Sequence, residues 1–194
     1  MIDYSAIILA GGKSSRMGKK KAELIFSGKT LLEILIDKLE ALSINDILLS
    51  GYECSDKRVR SIFDIYKNRG PLGGVHACLR EVKCNHALVL AEDAPFIPEE
   101  FLKSLIEYHS EGSQKITVAT CSGSLQPLVA IYDKTLYENC EKLLLEEKGN
   151  LIKLILKTTY KAVPFTGDEL LIRGSNTREE FERMSELVKT MTIW

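Results

Sequence analysis

The sequence predicts an α/β fold in which helices cover a mostly parallel sheet. Short apolar segments alternate along the chain with longer segments whose apolar residues recur at helical spacing. Polar or glycine-containing turns follow the apolar segments, which is the order expected for strands joined by crossover helices. With 194 residues and 45% hydrophobic content, the chain can form one sizeable core. We therefore expect a single domain over residues 1–194.

Composition argues against several classes of function. A net charge of −1 and a pI of about 6.3 argue against general binding to nucleic acid or to a membrane surface. The five cysteines show no C-x-x-C spacing, which predicts reduced, mostly buried thiols and a cytoplasmic location. The three histidines stand apart in the sequence, so a zinc cluster has little support. No apolar run has the length of a membrane span.

The pattern predicts the following elements in chain order. Strands are expected at residues 6–9, 46–50, 61–63, 86–91, 116–120 and 126–132. Helices are expected from residue 31 to 42, from 70 to 82, after residue 98, from about 135, from 150 to 156 and after residue 177. Two of the helices begin with a capping-box pattern, Thr30 with Glu33 and Thr177 with Glu180.

A basic, glycine-rich turn follows the first predicted strand. Gly11 and Gly12 allow backbone N–H groups to approach an anion, and Arg16 and Lys21 belong to a run that supplies positive charge. A solvated surface turn is the alternative for so short a motif. The glycine spacing excludes a P-loop and a Rossmann dinucleotide fingerprint, and a serine nucleophile elbow lacks its closing glycine. The position of the basic turn directly after a strand favours phosphate binding.

Two further turns follow later strands. Residues 69–75 contain Gly-Pro-Leu-Gly-Gly, in which Pro71 fits a first helical turn and the glycines allow a ligand to approach. An ordinary Gly-Pro turn is the alternative. Asp93 follows the strand at residues 86–91, and ligands of open α/β sheets bind beyond the carboxyl ends of the strands, so we expect it to share a crevice with Gly11. Its carboxylate suits Mg²⁺, whereas capping of the turn before the helix that follows Pro98 is the alternative.

These motifs resemble those of the molybdenum cofactor guanylyltransferases, the molybdopterin-guanine dinucleotide biosynthesis protein A family of the nucleotidyltransferase superfamily. Four segments match in order: Leu9-Ala10-Gly11-Gly12 with Lys21, Asp64 to Gly74, Asp93-Ala94-Pro95-Phe96, and Asn176-Thr177. The resemblance implies a three-layer, Rossmann-like sheet of the nucleotide-diphospho-sugar transferase type. It also implies a nucleotide-binding part at about residues 1–115 and an acceptor-binding part at about 116–194.

The resemblance further implies that GMP is transferred from GTP to the phosphate of molybdopterin or molybdenum-molybdopterin, with Mg²⁺ as cofactor and pyrophosphate as product. It gives catalytic roles to Arg16, Lys21 and Asp93, with Asp93 also holding the metal, and it gives acceptor binding to Asn176. Nucleotide binding falls to Leu9, Ala10, Gly11, Gly12, Lys21, Asp64, Gly70 and Asp93. Proteins that deliver molybdopterin or mature molybdoenzymes are the implied partners.

Two departures from the family pattern affect this interpretation. Lys20 stands where the family usually has aspartate, and Gly174 replaces the first asparagine of Asn-x-Asn-Thr. Asn176 could also cap the following helix instead of contacting an acceptor. Two other functions therefore stay open: a related nucleotidyltransferase that uses CTP or a sugar or polyol phosphate, and a non-catalytic GTP-binding adaptor.

Overall fold

The structure is a computed structural model that describes residues 3–10, 24–146, 149–175 and 177–191. Its strands are β1 (Tyr4–Leu9), β2 (Ile25–Phe26), β3 (Lys29–Thr30), β4 (Asp46–Ser50), β5 (Val59–Ile62), β6 (His86–Ala91), β7 (Ile116–Cys121), β8 (Ser124–Asp133) and β9 (Tyr160–Pro164). Its helices are α1 (Leu31–Ala41), α2 (Gly70–Glu81), α3 (Glu99–Ser110), α4 (Tyr137–Leu145), α5 (Leu151–Leu156), α6 (Glu169–Arg173) and α7 (Arg178–Thr190). Within these ranges, no helix has the length and apolar character needed to cross a membrane.

Seven of the strands found in the described residues form one sheet, in the order β5-β4-β1-β6-β8-β7-β9. Strand β8 is antiparallel to its neighbours β6 and β7, and the other adjacent pairs are parallel. The prediction of a mostly parallel sheet is therefore confirmed. From β1 the chain moves to β4 and β5 on one side and then crosses to β6 on the other, so the strand order reverses between β1 and β6. Such a reversal is where open α/β sheets bind ligands.

Helices cover both faces of the sheet, which gives the three layers expected. Neighbouring residues of β1 point to opposite faces: Ile8 packs in a core with α1, α3 and α7, whereas Ile7 packs in a core with α2, α4 and α5. Both side chains are fully buried. Burying one such side chain stabilises the fold by about 1.5–3 kcal/mol. Three of the five cysteines are buried in these cores, as the sequence predicts: Cys78, Cys121 and Cys140.

The helix starts agree closely with the sequence pattern. Thr30 and Thr177 both form the predicted capping boxes. The N-cap of α7 is Thr177, and Asn176, the alternative cap of this helix, lies outside the described residues. The predicted strand at residues 61–63 is shifted, since β5 ends at Ile62.

Some elements have no counterpart in the prediction. They are the hairpin of β2 and β3, the short helix α6, and the strand β9 at the sheet edge. In β9 only Val163 is buried, so its sequence lacks the apolar run that marks the central strands.

A histidine pair lies near the edge of the sheet where the parallel strands begin. The Nε2 atom of His109 is 3.0 Å from Nδ1 of His86, and its Nδ1 atom is 2.9 Å from Oγ1 of Thr117. Burial lowers the pKa of His109 to about 4, and the neighbouring His86 acts in the same direction, while Asp133 acts against them. His109 is therefore held in its neutral form in the folded protein.

This pair predicts a loss of stability in mild acid. Unfolded His109 takes up a proton near pH 6.5, whereas folded His109 does so only near pH 4, so the free energy of unfolding should fall as the pH drops through that interval. We expect His109→Gln to reduce this slope, measured by urea denaturation at a series of pH values. Ser110→Ala, on the neighbouring residue, should leave the slope unchanged. Equal slopes in the wild type and His109→Gln would contradict the assignment.

Candidate functional site

The carboxyl ends of the central parallel strands lie level with one another. Leu9 of β1 is paired with Ser50 of β4 on one side and with Ala91 of β6 on the other. The pairing continues into the turns, because Ala10 N donates to Ser50 O at 3.0 Å and Glu92 N donates to Leu9 O at 3.1 Å. The turns after β1, β4 and β6 therefore begin at the same edge of the sheet, as predicted.

The predicted site residues divide into two groups. Leu9, Ala10, Asp64, Gly70 and Asp93 lie in the described ranges: Leu9 ends β1, Ala10 follows it, Asp64 follows β5, Gly70 begins α2 and Asp93 follows β6. Gly11, Gly12, Arg16, Lys21 and Asn176 lie outside the described residues, as does Lys20. The roles given to the second group stay predictions.

Asp64 is held between the end of β4 and the start of α2. Ser50 donates from Oγ to Oδ1 of Asp64 at 3.3 Å. On the other side, a Cβ placed on Gly73 would lie 3.1 Å from Oδ2 of Asp64, so the helix backbone approaches the carboxylate closely. Burial raises the pKa of the Asp64 carboxyl, while the Ser50 hydroxyl and His76 act in the opposite direction. The result is a half-buried carboxylate in a fixed position.

The glycines of α2 allow this contact between the helix and the strand ends. A Cβ on Gly74 would overlap Oγ of Ser50 and lie 2.9 Å from Cδ2 of Leu9, so a larger residue there would push the helix away. Gly70, the first residue of α2, has a φ of 59°, where glycine is favoured. The N-cap residue Arg69 makes no side-chain capping bond, and its guanidinium donates to the carbonyl groups of residues 144 and 146 near the end of α4. The glycine-rich start of α2 thus packs against the carboxyl ends of the strands.

Asp93 lies in the turn between β6 and α3. Its backbone carbonyl accepts a hydrogen bond from Ser175 N at 3.2 Å. The N-cap of α3 is Pro98, and no side chain of the described residues makes a capping hydrogen bond to that helix. The segment between β6 and α3, residues 92–98, is called the acidic turn here. The contact with Ser175 brings the link between α6 and α7 against the acidic turn, although the two segments are far apart in the sequence.

Gly174 makes this contact possible. It has φ 70° and ψ 179°, a conformation that is essentially restricted to glycine. A Cβ at this position would overlap the carbonyl oxygen of Asp93 and lie 2.7 Å from its Oδ1. The replacement of the family's asparagine by Gly174 therefore has a backbone reason in this chain.

The carboxylate of Asp93 is a chemically suitable ligand for a magnesium ion. In the described part of the chain, no group of three or more histidine, cysteine, aspartate or glutamate side chains comes together. Mg²⁺ commonly takes one or two carboxylates together with water and substrate phosphates. Asp93 supplies a hard oxygen donor, and the backbone of Gly174 packs closely beside its Oδ1.

Ser50 is a site residue that the sequence analysis missed. A serine at the end of an apolar strand is common, so residue type alone gives no signal. Its position at the end of the strand predicted at residues 46–50 was the available signal, because ligands of open α/β sheets bind beyond the carboxyl ends of the strands. The structure adds its hydrogen bond to Asp64.

The fold matches that of nucleotidyltransferase structures over nearly the whole chain. Molybdopterin-guanine dinucleotide biosynthesis protein A from Archaeoglobus fulgidus aligns with a TM-score of 0.79 and 23% identity, covering 96% of this chain and 100% of that one. 4-Diphosphocytidyl-2C-methyl-D-erythritol synthase from Anaerococcus prevotii aligns with a TM-score of 0.74 and 17% identity, covering 97% and 96%. At these identities the two structures establish the fold alone.

Sequence comparison identifies the family. The family model described as MobA-like NTP transferase domain matches residues 6–162. A probable molybdenum cofactor guanylyltransferase from Clostridium perfringens is 37% identical over 165 residues, which are 84% of this chain and 82% of that protein. The chain therefore belongs to the MobA-like NTP transferase family. The resemblance inferred from the sequence motifs is confirmed.

The contact between Gly174 and Asp93 predicts a specific sensitivity to substitution. Gly174→Ala should lower stability by the cost of the glycine-only conformation, about 1–3 kcal/mol, and by a further penalty for the overlap with Asp93. Gly123→Ala is a suitable control, since Gly123 also has a positive φ of 75° but a Cβ added there would meet no atom within 4 Å. Thermal unfolding of both variants would test this expectation. Similar losses in the two variants would show that the contact with Asp93 contributes nothing.

Proposed function

We propose that this protein transfers GMP from GTP to the phosphate of molybdopterin or molybdenum-molybdopterin and releases pyrophosphate. The observation that supports this most is the arrangement of Asp64, the start of α2 and Asp93 at one edge of a nucleotidyltransferase sheet. Membership in the MobA-like family and the name of the Clostridium relative support the choice of guanylyl transfer. The place of action is expected to be the cytoplasm, with proteins that deliver molybdopterin or receive the product as partners.

The reaction needs little activation of its nucleophile. The acceptor phosphate is already an anion, so one of its oxygens attacks the α-phosphorus of GTP, the bond from that phosphorus to the β-phosphate oxygen breaks, and pyrophosphate leaves. No proton has to be removed from the attacking oxygen. Catalysis is then alignment of the two substrates and stabilisation of negative charge.

The first turn and the acidic turn would provide that stabilisation. We assign Arg16 and Lys21 to the phosphates of GTP, with backbone N–H groups of Gly11 and Gly12 beside them. Asp93 would hold Mg²⁺, which supplies positive charge to the triphosphate when bound. The carbonyl group of Asp93 is fixed by Ser175, so the side chain starts from a defined backbone position.

Asp64 is the residue that we assign to recognition of guanine. Its carboxylate can accept hydrogen bonds from N1–H and N2–H₂ of the base, a donor pair that cytosine and adenine do not present together. Ser50 fixes Oδ1, and the close approach of Gly73 on the other side restricts the movement of the carboxylate. Leu9, Ala10 and Gly70 would line the same nucleotide site.

The acceptor would lie next to the acidic turn. Residues 1–115 would bind the nucleotide and residues 116–194 the acceptor, with Asn176 as a contact to it. The hydrogen bond from Ser175 N to Asp93 supports this proposal, because it brings the residue before Asn176 to the acidic turn.

Loss of the Asp93 carboxylate or of the Lys21 ammonium group should mainly lower the rate of the reaction. We expect Asp93→Ala and Lys21→Ala to lower pyrophosphate release by orders of magnitude while far-UV circular dichroism stays unchanged, because both residues stabilise charge in the transition state. Glu111→Gln at the end of α3 and Lys142→Ala on α4 are controls that change one charge elsewhere. Near-normal turnover in either site variant would remove that residue from its assigned role.

Guanine recognition by Asp64 predicts a change of nucleotide preference. With Mg²⁺ present, the wild type should bind GTP more tightly than CTP in a competition assay. Asp64→Asn should lower GTP affinity by about 10–100-fold, as expected for the loss of a hydrogen bond to a charged group worth about 1.5–3 kcal/mol, and should leave CTP affinity nearly unchanged. A wild type that prefers CTP would contradict the proposal.

A preference for CTP would favour a related nucleotidyltransferase, an alternative supported by the fold similarity to the diphosphocytidyl synthase from Anaerococcus. Incubation with each nucleotide, Mg²⁺ and candidate acceptors, followed by mass spectrometry, would identify the product. Molybdopterin, sugar phosphates and polyol phosphates are the acceptors to compare. Binding of GTP without release of pyrophosphate for any acceptor would indicate a non-catalytic adaptor.

A further inference from the structure

The segment between β6 and α3 has irregular backbone, and distant parts of the chain bind its carbonyl groups. Asp93 O accepts from Ser175 N at 3.2 Å. Pro95 O accepts from Lys38 Nζ at 2.8 Å, and Ile97 O accepts from the same ammonium group. Two residues of this segment are prolines, which have no N–H to donate. Contacts from outside the segment therefore set much of its shape.

Lys38 reaches this segment from the second half of α1. The Lys38 side chain is half-buried, and this burial lowers the pKa of Lys38 to about 8, while the nearby Glu99 acts in the opposite direction. A buried charge is costly unless polar groups bind it. The carbonyl groups of Pro95 and Ile97 provide this compensation, and hydrogen bonds from a charged donor are stronger than neutral ones.

We propose that Lys38 is a positioning residue that holds the acidic turn so that Asp93 faces the metal and the triphosphate. Lys38 fixes carbonyl groups two and four residues after Asp93, while Ser175 fixes the carbonyl group of Asp93 itself. The turn is thus bound at the backbone of the proposed metal ligand and again just beyond it. This inference rests on the proposed role of Asp93.

The expected effect is on the coupling between metal and nucleotide. Loss of the Lys38 ammonium leaves two carbonyl groups without this donor, so the turn relaxes and Asp93 no longer holds a single orientation. Groups that orient a metal ligand typically change metal affinity by about 10–100-fold when they are replaced. Mg²⁺ should therefore strengthen GTP binding less in a Lys38 variant than in the wild type.

The test compares GTP affinity with and without Mg²⁺ by isothermal titration calorimetry of the full chain. Lys38→Met keeps the length of the side chain and removes the donor, and a cavity of about 640 Å³ beside Lys38 gives the new side chain room. Lys103→Met is the matched control, since Lys103 is an exposed lysine on α3 that pairs with Glu99 and Glu100 at the surface. Lys38→Gln, with a shorter donor group, carries the test if the Met variant does not fold, which thermal unfolding will show.

We expect Lys38→Met to reduce the strengthening of GTP binding by Mg²⁺ about tenfold, with GTP affinity in the absence of metal unchanged. In an Asp93→Asn background the same substitution should have little further effect, because Lys38 acts through Asp93. The inference is overturned if Mg²⁺ strengthens GTP binding as much in Lys38→Met as in the wild type. It is also overturned if Lys38→Met reduces that effect of Mg²⁺ as much in the Asp93→Asn background as in the wild type. If Mg²⁺ strengthens GTP binding as much in Asp93→Asn as in the wild type, the proposed metal role of Asp93 fails, and the role of Lys38 fails with it.

Discussion

The pairing register of β1 in the centre of the sheet is the constraint on which the site depends. Backbone hydrogen bonds place Leu9 opposite both Ser50 and Ala91, so the chain leaves the sheet at the same level in the turns that follow. A shift of one residue would turn Ile7 and Ile8 to the wrong faces, and each is fully buried in its own core. The two cores therefore fix the level of the strand ends, and with it the geometry of the site.

The run of basic residues that follows β1 in the sequence matches the negative charge that the proposed ligand would bring to this edge. Asp64 and Asp93 are both at the carboxyl edge, and a triphosphate placed between them would be repelled by two carboxylates. A divalent cation at Asp93 and the cationic residues of the first turn would reverse that repulsion for the phosphates. Asp64 would meet the base, which offers hydrogen-bond donors. A net charge of −1 is thus compatible with a strongly anionic ligand, because the compensation is local.

The sequence was sufficient to predict the elements whose buried apolar residues recur at regular spacing. The central strands, α1 with its Thr30 capping box, and α7 with its Thr177 capping box all follow rules that act within a few residues. By contrast, β9 buries little of its surface and depends on pairing with β7, which no local pattern encodes. The hydrogen bond from Ser50 to Asp64 and the contact from Lys38 to Pro95 join residues brought together only by the fold.

Gly174 shows how a departure from a family pattern can follow from the backbone. From the sequence alone, the replacement of asparagine by glycine indicates only the loss of a side chain that could have contacted the acceptor. In the structure, this position has a glycine-only conformation and its absent Cβ would overlap the backbone of Asp93. An asparagine here would need a different path of the chain past the acidic turn. The glycine therefore favours a close contact between the two segments, and recognition of the acceptor would fall to other residues, of which Asn176 is the candidate that the motif supplies.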